Sequence, residues 1–245
     1  MSKPDTNQAA VIVTGASSGI GAEITRLLLA RGTTVSAWDI KPGDLSGVND
    51  ANLMVHTVDT RDKGAVEKAT AATKERFGAV SGLSACAGIF RPKPFLQVTE
   101  DEWDEHFNIN LKGVLFCCQA VLPLMRAQKS GSIVLWSSGL GRSPKPRTAH
   151  YAATKGGILG LTRVLALETA KQGIRVNCIS PGIADTAMPR AVYTGELMDS
   201  RAQDNPMKRL ATANDMAEAA LFLLDDESSY FTGQDIRVNG GKDLF

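Results

Sequence analysis

A tyrosine and a lysine stand four residues apart in "HYAATKGG", at Tyr151 and Lys155, with only small side chains between and after them. Four residues is just over one helical turn, so a helix carries both side chains on one face. A phenol beside a fixed ammonium is a proton donor whose pKa is drawn from about 10 toward neutrality. Taken alone, the spacing also describes an ordinary amphipathic pair on a solvated helix. The rest of the chain has to decide.

A second stretch could hold an anion. "TGASSGIG", Thr14 to Gly21, follows a short apolar run and precedes a helical pattern. Glycines in that context let the backbone turn tightly and approach a pyrophosphate, and the helix start offers free N–H groups. The spacing is Gly-x-x-x-Gly-x-Gly across Gly15, Gly19 and Gly21, with Ser17 and Ser18 as extra donors, rather than the commoner Gly-x-Gly-x-x-Gly. Asp39 ends the next apolar run, 18 residues beyond Gly21. An acid there accepts from the adenosine ribose hydroxyls and repels a 2′-phosphate. No arginine follows it and Lys41 is the only nearby base, so the sequence favours NAD over NADP. The same acid could instead cap a turn. Asp59, in "HTVDT", is similarly placed to reach the adenine edge.

These residues need a scaffold, and the chain supplies an alternating one. Strand-like runs at 9–15, 33–39, 52–59, 79–88, 131–138, 174–182 and 233–241 alternate with helical patterns at 20–32, 62–78, 99–128, 150–173 and 212–227. Short apolar strands alternating with helices imply a single-domain α/β fold: a Rossmann-type, doubly wound parallel sheet with helices on both faces. Thr99 is the expected cap of the long helix, with acids in its first turn. Residues 184–211 escape the pattern and read as a long irregular insertion with weak helical pieces, of the kind that forms lids or binding segments.

Composition narrows the function. The 245 residues are 43% hydrophobic and 22% charged, with 27 basic and 26 acidic side chains. A net charge of +1 gives no drive toward nucleic acid or an anionic membrane. The longest apolar run, "GVLFCCQAVLPLM", has polar breaks and falls short of a membrane span. The polar start lacks a secretory core, so a cytoplasmic protein is expected. Cys86, Cys117, Cys118 and Cys178 show no metal-ligand spacing, and no metal is expected. Adjacent Cys117 and Cys118 read as small core residues.

Together the motifs resemble the short-chain dehydrogenase/reductase family from Val11 to Gly241. "TGASSGIG" is similar to that family's cofactor loop. "ACAG" stands where the family usually has Asn-Asn-Ala-Gly, and "NIN" supplies Asn110 at its helix asparagine. "IVLWSS" and "YAATK" match its Ser…Tyr-x-x-x-Lys element, with Ser138 thirteen residues before Tyr151. "IRVNCISPGIADTAM" is similar to its post-catalytic strand and Pro-Gly turn. The resemblance implies NAD-dependent hydride transfer between the nicotinamide and a secondary alcohol or ketone. It makes Tyr151 the general acid/base and has Lys155 lower the pKa of that phenol and hold the nicotinamide ribose. Ser138 would bond the substrate oxygen, and Asn110 would anchor a water that links Lys155 to solvent. Cofactor contacts are implied from Gly15, Ser17, Ser18, Gly19, Ile20 and Gly21; from Asp39, Asp59, Thr60, Ala87 and Gly88; from Tyr151 and Lys155; and from Pro181, Gly182, Ile183, Ala184 and Thr186. Substrate contacts are implied from Ser138, Leu140, His150, Tyr151 and Met188.

Two departures from the family pattern stand out: Cys86 for the usual asparagine, and Ala184 for the usual β-branched residue beside the nicotinamide. "GRSPKPRTAH" is basic, through Arg142, Lys145, Arg147 and His150, and Arg91 and Arg190 could add to it. An electropositive mouth would suit an anionic substrate, although a solvated charged loop explains the same residues. The alternative activity is 3-oxoacyl-(acyl-carrier-protein or CoA) reduction. The alternative class is a non-catalytic dinucleotide-binding regulator, against which the intact Asn110, Ser138, Tyr151 and Lys155 argue. Apolar residues almost all round the helical patterns at 101–128 and 150–173, and the Leu244-Phe245 end, point to a homotetramer with two-fold symmetry.

Overall fold

A computed structural model describes residues 9–242 as one sheet of seven parallel strands with helices on both faces. The strands are β1 (Ala10–Thr14), β2 (Val35–Asp39), β3 (Leu53–Thr57), β4 (Val80–Ala85), β5 (Gly131–Trp136), β6 (Ile174–Pro181) and β7 (Asp235–Val238), in the order β3-β2-β1-β4-β5-β6-β7. The helices are α1 (Gly19–Ala30), α2 (Lys63–Phe77), α3 (Glu100–Phe107), α4 (Gly113–Gln128), α5 (Ala149–Thr169), α6 (Ala187–Arg190), α7 (Gly195–Gln203) and α8 (Ala213–Leu224). This is the doubly wound α/β architecture that the alternation implies.

The strands are apolar on both sides because both sides are covered. In β1, Val11 and Val13 pack with Ile24 and Leu28 of α1 and Met216 and Leu221 of α8. Ile12 points the other way, to Val66 of α2, Val121 of α4 and Ile158 of α5. Burying each such side chain contributes roughly 1.5–3 kcal/mol. Cys117 and Cys118 lie in the second of these cores, as expected of small apolar residues.

The order of the strands reverses at β1, which has β2 on one side and β4 on the other. In an open sheet the crevice beyond the carboxyl ends at such a point is where ligands bind. The turns that leave β1, β4, β5 and β6 all open there.

Two local features differ from the sequence reading. The long helix is α3 and α4 joined through a π turn at Asn108–Lys112, which buries Asn110 completely. Thr99 caps it as expected, in a reciprocal capping box with Glu102 that is worth about 1 kcal/mol. By length and composition only, the helix over Glu100–Gln128 suffices to cross a membrane, the mean hydropathy of its most apolar stretch being 1.3. The expectation that no run reaches that length therefore fails by length and composition, although Val114, Cys117, Val121 and Met125 are buried in the core. A short 3-10 turn at Gly43–Gly47 went unforeseen. The insertion at 184–211 carries α6 and α7, and a parallel bridge between Ala184 and Ala211 closes its base. The Leu244-Phe245 pair lies outside the described residues.

Candidate active site

The turns at the strand ends wall a cleft of about 630 Å³. Its first wall is the turn after β1, where Gly15 and Gly19 take φ values of +64° and +53°, the left-handed region that favours glycine. A Cβ on Gly21 would lie 2.2 Å from the Gly15 carbonyl oxygen, so α1 can start against the turn only with glycine there. No side chain caps α1, and its first turn faces the cleft through Gly19, Ile20 and Gly21. An uncapped helix start with glycines at the approach fits a pyrophosphate. Ser18 lines the cleft, but Ser17 does not. The Ser17 N–H donates to Asp39 Oδ2 at 3.1 Å, which ties the turn to β2.

Asp39 lines the cleft and also accepts from the Lys41 N–H at 3.1 Å. The two readings of this acid are compatible: it caps the turn with two bonds and keeps lone pairs for a ribose. Asp59 and Thr60 line the same end. Asp59, however, is clasped by Arg61, with Nη2 2.6 Å from Oδ2, and the bonds to that guanidinium hold its carboxyl below the usual range. Arg61 also lines the cleft and escaped the sequence reading, although it lies two residues from Asp59.

Ala87 and Gly88 follow β4, and the Ala87 N–H donates to Thr14 Oγ1 at 3.0 Å. Cys86, in place of the family asparagine, packs with Ser84 instead, its Sγ 3.2 Å from Ser84 Oγ. Pro181, Gly182, Ile183, Ala184 and Thr186 after β6 complete the cofactor wall. Asn110 lies behind that wall: its Oδ1 accepts from the Ile89 N–H at 2.8 Å and its Nδ2 donates to the Ile89 carbonyl at 3.0 Å. Its amide clamps the turn after β4.

Ser138, at the end of β5, and Tyr151 and Lys155, on α5, meet at the cleft floor. Ser138 Oγ accepts from the Leu140 N–H at 3.1 Å, which keeps its own proton free to donate elsewhere. Lys155 is buried, and its Nζ donates to the Trp136 carbonyl at 2.7 Å and sits 5.6 Å from the centre of the Tyr151 ring. Burial pulls the Lys155 ammonium down to about 8. Burial also pushes the Tyr151 phenol up to about 12, against the opposing effect of a hydrogen bond with Ser138. In this arrangement the Lys155 ammonium is bonded to the Trp136 carbonyl, and desolvation is the largest influence on both groups.

The far end is aromatic. Phe90 stands edge-on to Tyr151 with ring centres 4.7 Å apart, and lies 6.0 Å from Tyr193 in the insertion. Leu140 and Met188 line this end, as expected. His150 does not. It is 1% exposed and packs on His106 with ring centres 3.8 Å apart. One residue along a helix turns the side chain by about 100°, so the residue before Tyr151 points away from the cleft. The basic mouth is also altered. Arg142 pairs with Asp235, Arg91 with Glu105 and Arg190 with Asp185. Lys145 and Arg201 line the cleft; Arg201, like Tyr193, comes from the insertion, where sequence offers no period to show which side chains turn inward.

The sequence model of a family described as Enoyl-(Acyl carrier protein) reductase matches residues 15–243. A 3-oxoacyl-[acyl-carrier-protein] reductase from Thermotoga maritima is 36% identical over 241 residues, which cover 94% of this chain and 96% of the relative. The oxidoreductase UcpA of Escherichia coli is 38% identical, covering 95% and 94%. A short-chain dehydrogenase/reductase from Brucella melitensis, described as a glucose/ribitol dehydrogenase, superposes with a TM-score of 0.92 at 31% identity over the whole of both chains. A levodione reductase does so with a TM-score of 0.91 at 33% identity, covering 96% and 97%.

Proposed function

The chain belongs to the short-chain dehydrogenase/reductase family and is an oxidoreductase that uses a nicotinamide cofactor, and from that premise we propose that it interconverts a ketone and a secondary alcohol with NAD. The observation that carries this reading is the meeting of Ser138, Tyr151 and Lys155 at one end of a cleft whose other end is an uncapped helix start beside an acid. When bound, the dinucleotide supplies or takes the hydride. The chain's own residues handle the proton. The Tyr151 phenol carries its proton at neutral pH, the form that donates to a ketone oxygen. Ser138 Oγ, whose lone pair is engaged by Leu140, donates to the same oxygen and orients it. Lys155 brings a positive charge to the cleft floor, where an alkoxide-like oxygen develops and a ribose hydroxyl can bind. Asn110 fixes the turn at Ile89, and with it Phe90, so it acts as a positioning residue.

Asp39 supports NAD. A 2′-phosphate at its carboxylate would meet like charge, and Arg61, the cation that lines that wall, is already held by Asp59. The match to reductases of 3-oxoacyl-[acyl-carrier-protein] favours a second reading, reduction of a 3-oxoacyl thioester. We take residues 1–245 as a single catalytic domain whose insertion at 184–211 contacts the substrate. We further propose a homotetramer: Leu115 of α4 and Val164 and Leu167 of α5 stay 37%, 52% and 83% exposed, an apolar surface that a second copy would cover. Four free thiols suit a reducing cytoplasm, and the near-zero net charge gives no reason for nucleic-acid or membrane partners.

A turnover panel of ketones and secondary alcohols with each dinucleotide, followed by the nicotinamide absorbance, tests the reading. Ketone reduction with NADH well ahead of NADPH is the expected result. Preference for NADPH would overturn the role of Asp39, and dinucleotide binding without turnover of any substrate would leave a regulator. Light scattering at micromolar concentration should report four copies; a monomer would remove the assembly from the proposal.

A further inference from the structure

The charges of the cleft are segregated. Both carboxylates on its wall, Asp39 and Asp59, lie at the adenosine end. No carboxylate lines the end beyond Tyr151, where Lys145 approaches from the loop before α5 and Arg201 from α7. Most other cations near this mouth have partners: Arg91, Lys93, Arg142 and Arg190 each pair with an acid. Among the described residues, the Lys145 and Arg201 side chains have neither an ion pair nor a hydrogen bond. The space between them and the proton donor is walled by Phe90, Tyr193, Leu140 and Met188. The Tyr193 phenol, raised by burial, feels the charges of Arg201 and Arg147 in the opposite direction, so the cations reach that ring.

Resting on the reading of ketone reduction, we propose that the substrate is an anion: an aryl or otherwise apolar ketone whose carboxylate, remote from the reacting carbonyl, is held by Arg201 and Lys145. The body lies along Phe90 and Tyr193, which orients the carbonyl toward Tyr151 and Ser138. Arg201 gives the anion a planar fork of donors and Lys145 a point charge, and both rise from segments outside the sheet. Selectivity for the anion would thus be separate from the proton-transfer machinery. Sequence alone suggested a basic mouth built on Arg142, Lys145, Arg147 and His150, with Arg91 and Arg190 beside it; Arg142, Arg91 and Arg190 pair with acids and His150 is buried, Arg147 does not line the cleft, and Lys145 is joined there by Arg201 from the insertion.

The test uses the full chain, NADH, and a matched pair of ketones, 4-acetylbenzoate and its methyl ester. The wild type should show a kcat/KM about tenfold or more higher for the acid, mostly through KM, with the gap narrowing as salt is raised. Arg201→Gln and Lys145→Gln should each lower the acid-to-ester ratio, and the double variant should bring it close to one. Arg201→Lys should keep part of the preference. Melting temperatures equal to wild type would show that the variants are folded. Equal or better use of the ester by the wild type, or an unchanged ratio in the double variant, would overturn the inference while leaving ketone reduction intact. If neither ketone is reduced, the reading of the reaction is what fails. Calorimetric titration of the two compounds into the NADH-loaded protein then decides the anion site: tighter binding of the acid, lost in the double variant, sustains it, and no difference overturns it.

Discussion

The two ends of the cleft are held in different ways. At the strand end, side chains are bonded to the backbone of the neighbouring turns. Lys155 reaches the Trp136 carbonyl, Ser137 Oγ donates to the Lys155 carbonyl at 2.8 Å, and Asn110 engages both polar groups of Ile89. Each of these turns continues a strand buried on both faces. At the insertion end, the lid rejoins the sheet through the Ala184–Ala211 bridge and a bond from Asn205 Nδ2 to the Asn239 carbonyl at 2.9 Å. Met188 and Met207 in the lid stay 41% and 60% exposed. Proton transfer requires atoms fixed to within a fraction of an ångström. Substrate shape can be read by a segment tied at its base and by the bonds from Lys242 to the Asp204 carbonyl and from Arg209 to Asp215, none of which touches the proton-transfer groups.

The sharpest break of this comparison pits one residue from each end against the other. Tyr151→Phe removes the proton donor and should lower kcat by at least about 10²-fold while dinucleotide binding survives. Met188→Ala, in the lid, should move KM by no more than about tenfold and leave kcat within a few-fold. Steady-state kinetics with fluorescence titration of the dinucleotide checks both. A lid substitution that costs as much kcat as loss of the phenol would erase the division between the two ends.

Legibility from sequence follows the same division. The glycine turn and the Tyr151/Lys155 pair could be read because each is fixed by a period, a strand running into a turn or four residues on one helix face, whereas Ser138 came only from the family resemblance. The same helical period, applied one residue back, would have turned His150 away from the cleft. The bond from the Ser17 N–H to Asp39 was not legible, because sequence does not show which N–H groups a turn spends. The ion pairs that disarm Arg91, Arg142 and Arg190 join residues on separate elements, up to 93 positions apart for Arg142 and Asp235. The π turn that buries Asn110 leaves no mark in the apolar pattern of the long helix.

The strand end should also trade stability for function, and Lys155 exposes that trade. Its folded pKa of about 8 lies below the ordinary 10.5, so the fold disfavours the protonated form. The penalty is complete below about pH 8 and fades to nothing as pH rises to 10.5, because the unfolded chain binds the extra proton only within that window. Lys155→Met should therefore stabilise the protein below pH 8, by about 1–2 kcal/mol once the lost bond to the Trp136 carbonyl is set against the relieved desolvation. That corresponds to a Tm higher by roughly 2–8 °C, with turnover nearly abolished. Thermal melts at pH 7 and pH 10 check the sign: the gap between variant and wild type should shrink at the higher pH. A variant less stable than wild type at pH 7 would mean that the ammonium is a net support of the fold.

Asp39 gives a smaller effect at the same end. Asp39→Ser removes the charge that opposes a 2′-phosphate and weakens the hold on the Ser17 and Lys41 N–H groups. The preference for NAD over NADP should narrow by about tenfold, with some loss of NAD affinity because the glycine turn is less firmly tied to β2. Titration of both dinucleotides measures it. An unchanged ratio would shift the discrimination to another residue, with Arg61 the first to test.

The smallest effect comes from the wall beneath the site, where α3 packs against the first turn of α5. His106 Nδ1 lies 2.7 Å from the Glu102 carbonyl and so carries the proton, which leaves Nε2 bare; His150 Nδ1 is bare as well, and neither nitrogen has a partner. Burial lowers the pKa of both rings; the charge of Arg91 adds to this at His106, and the charges of His106 and Lys93 add at His150. Glu102 and Glu105 act in the opposite direction, but they are engaged by Lys93 and Arg91 respectively. A folded pKa below the unfolded value of about 6.5 means that, on acidification past that point, the unfolded chain takes up protons first. Stability contributed by the neutral pair is therefore full above about pH 6.5 and is lost as pH falls toward the folded value. Between pH 7 and pH 5 the wild-type Tm should fall more steeply than that of His106→Asn, by a difference on the order of a degree or two. Because His150 adjoins Tyr151 and bonds to the Arg91 backbone, the same acidification should lower kcat before global unfolding begins. Parallel melting curves for the two proteins would mean that the histidine pair does not titrate in this range, and the support beneath Tyr151 would then be packing alone.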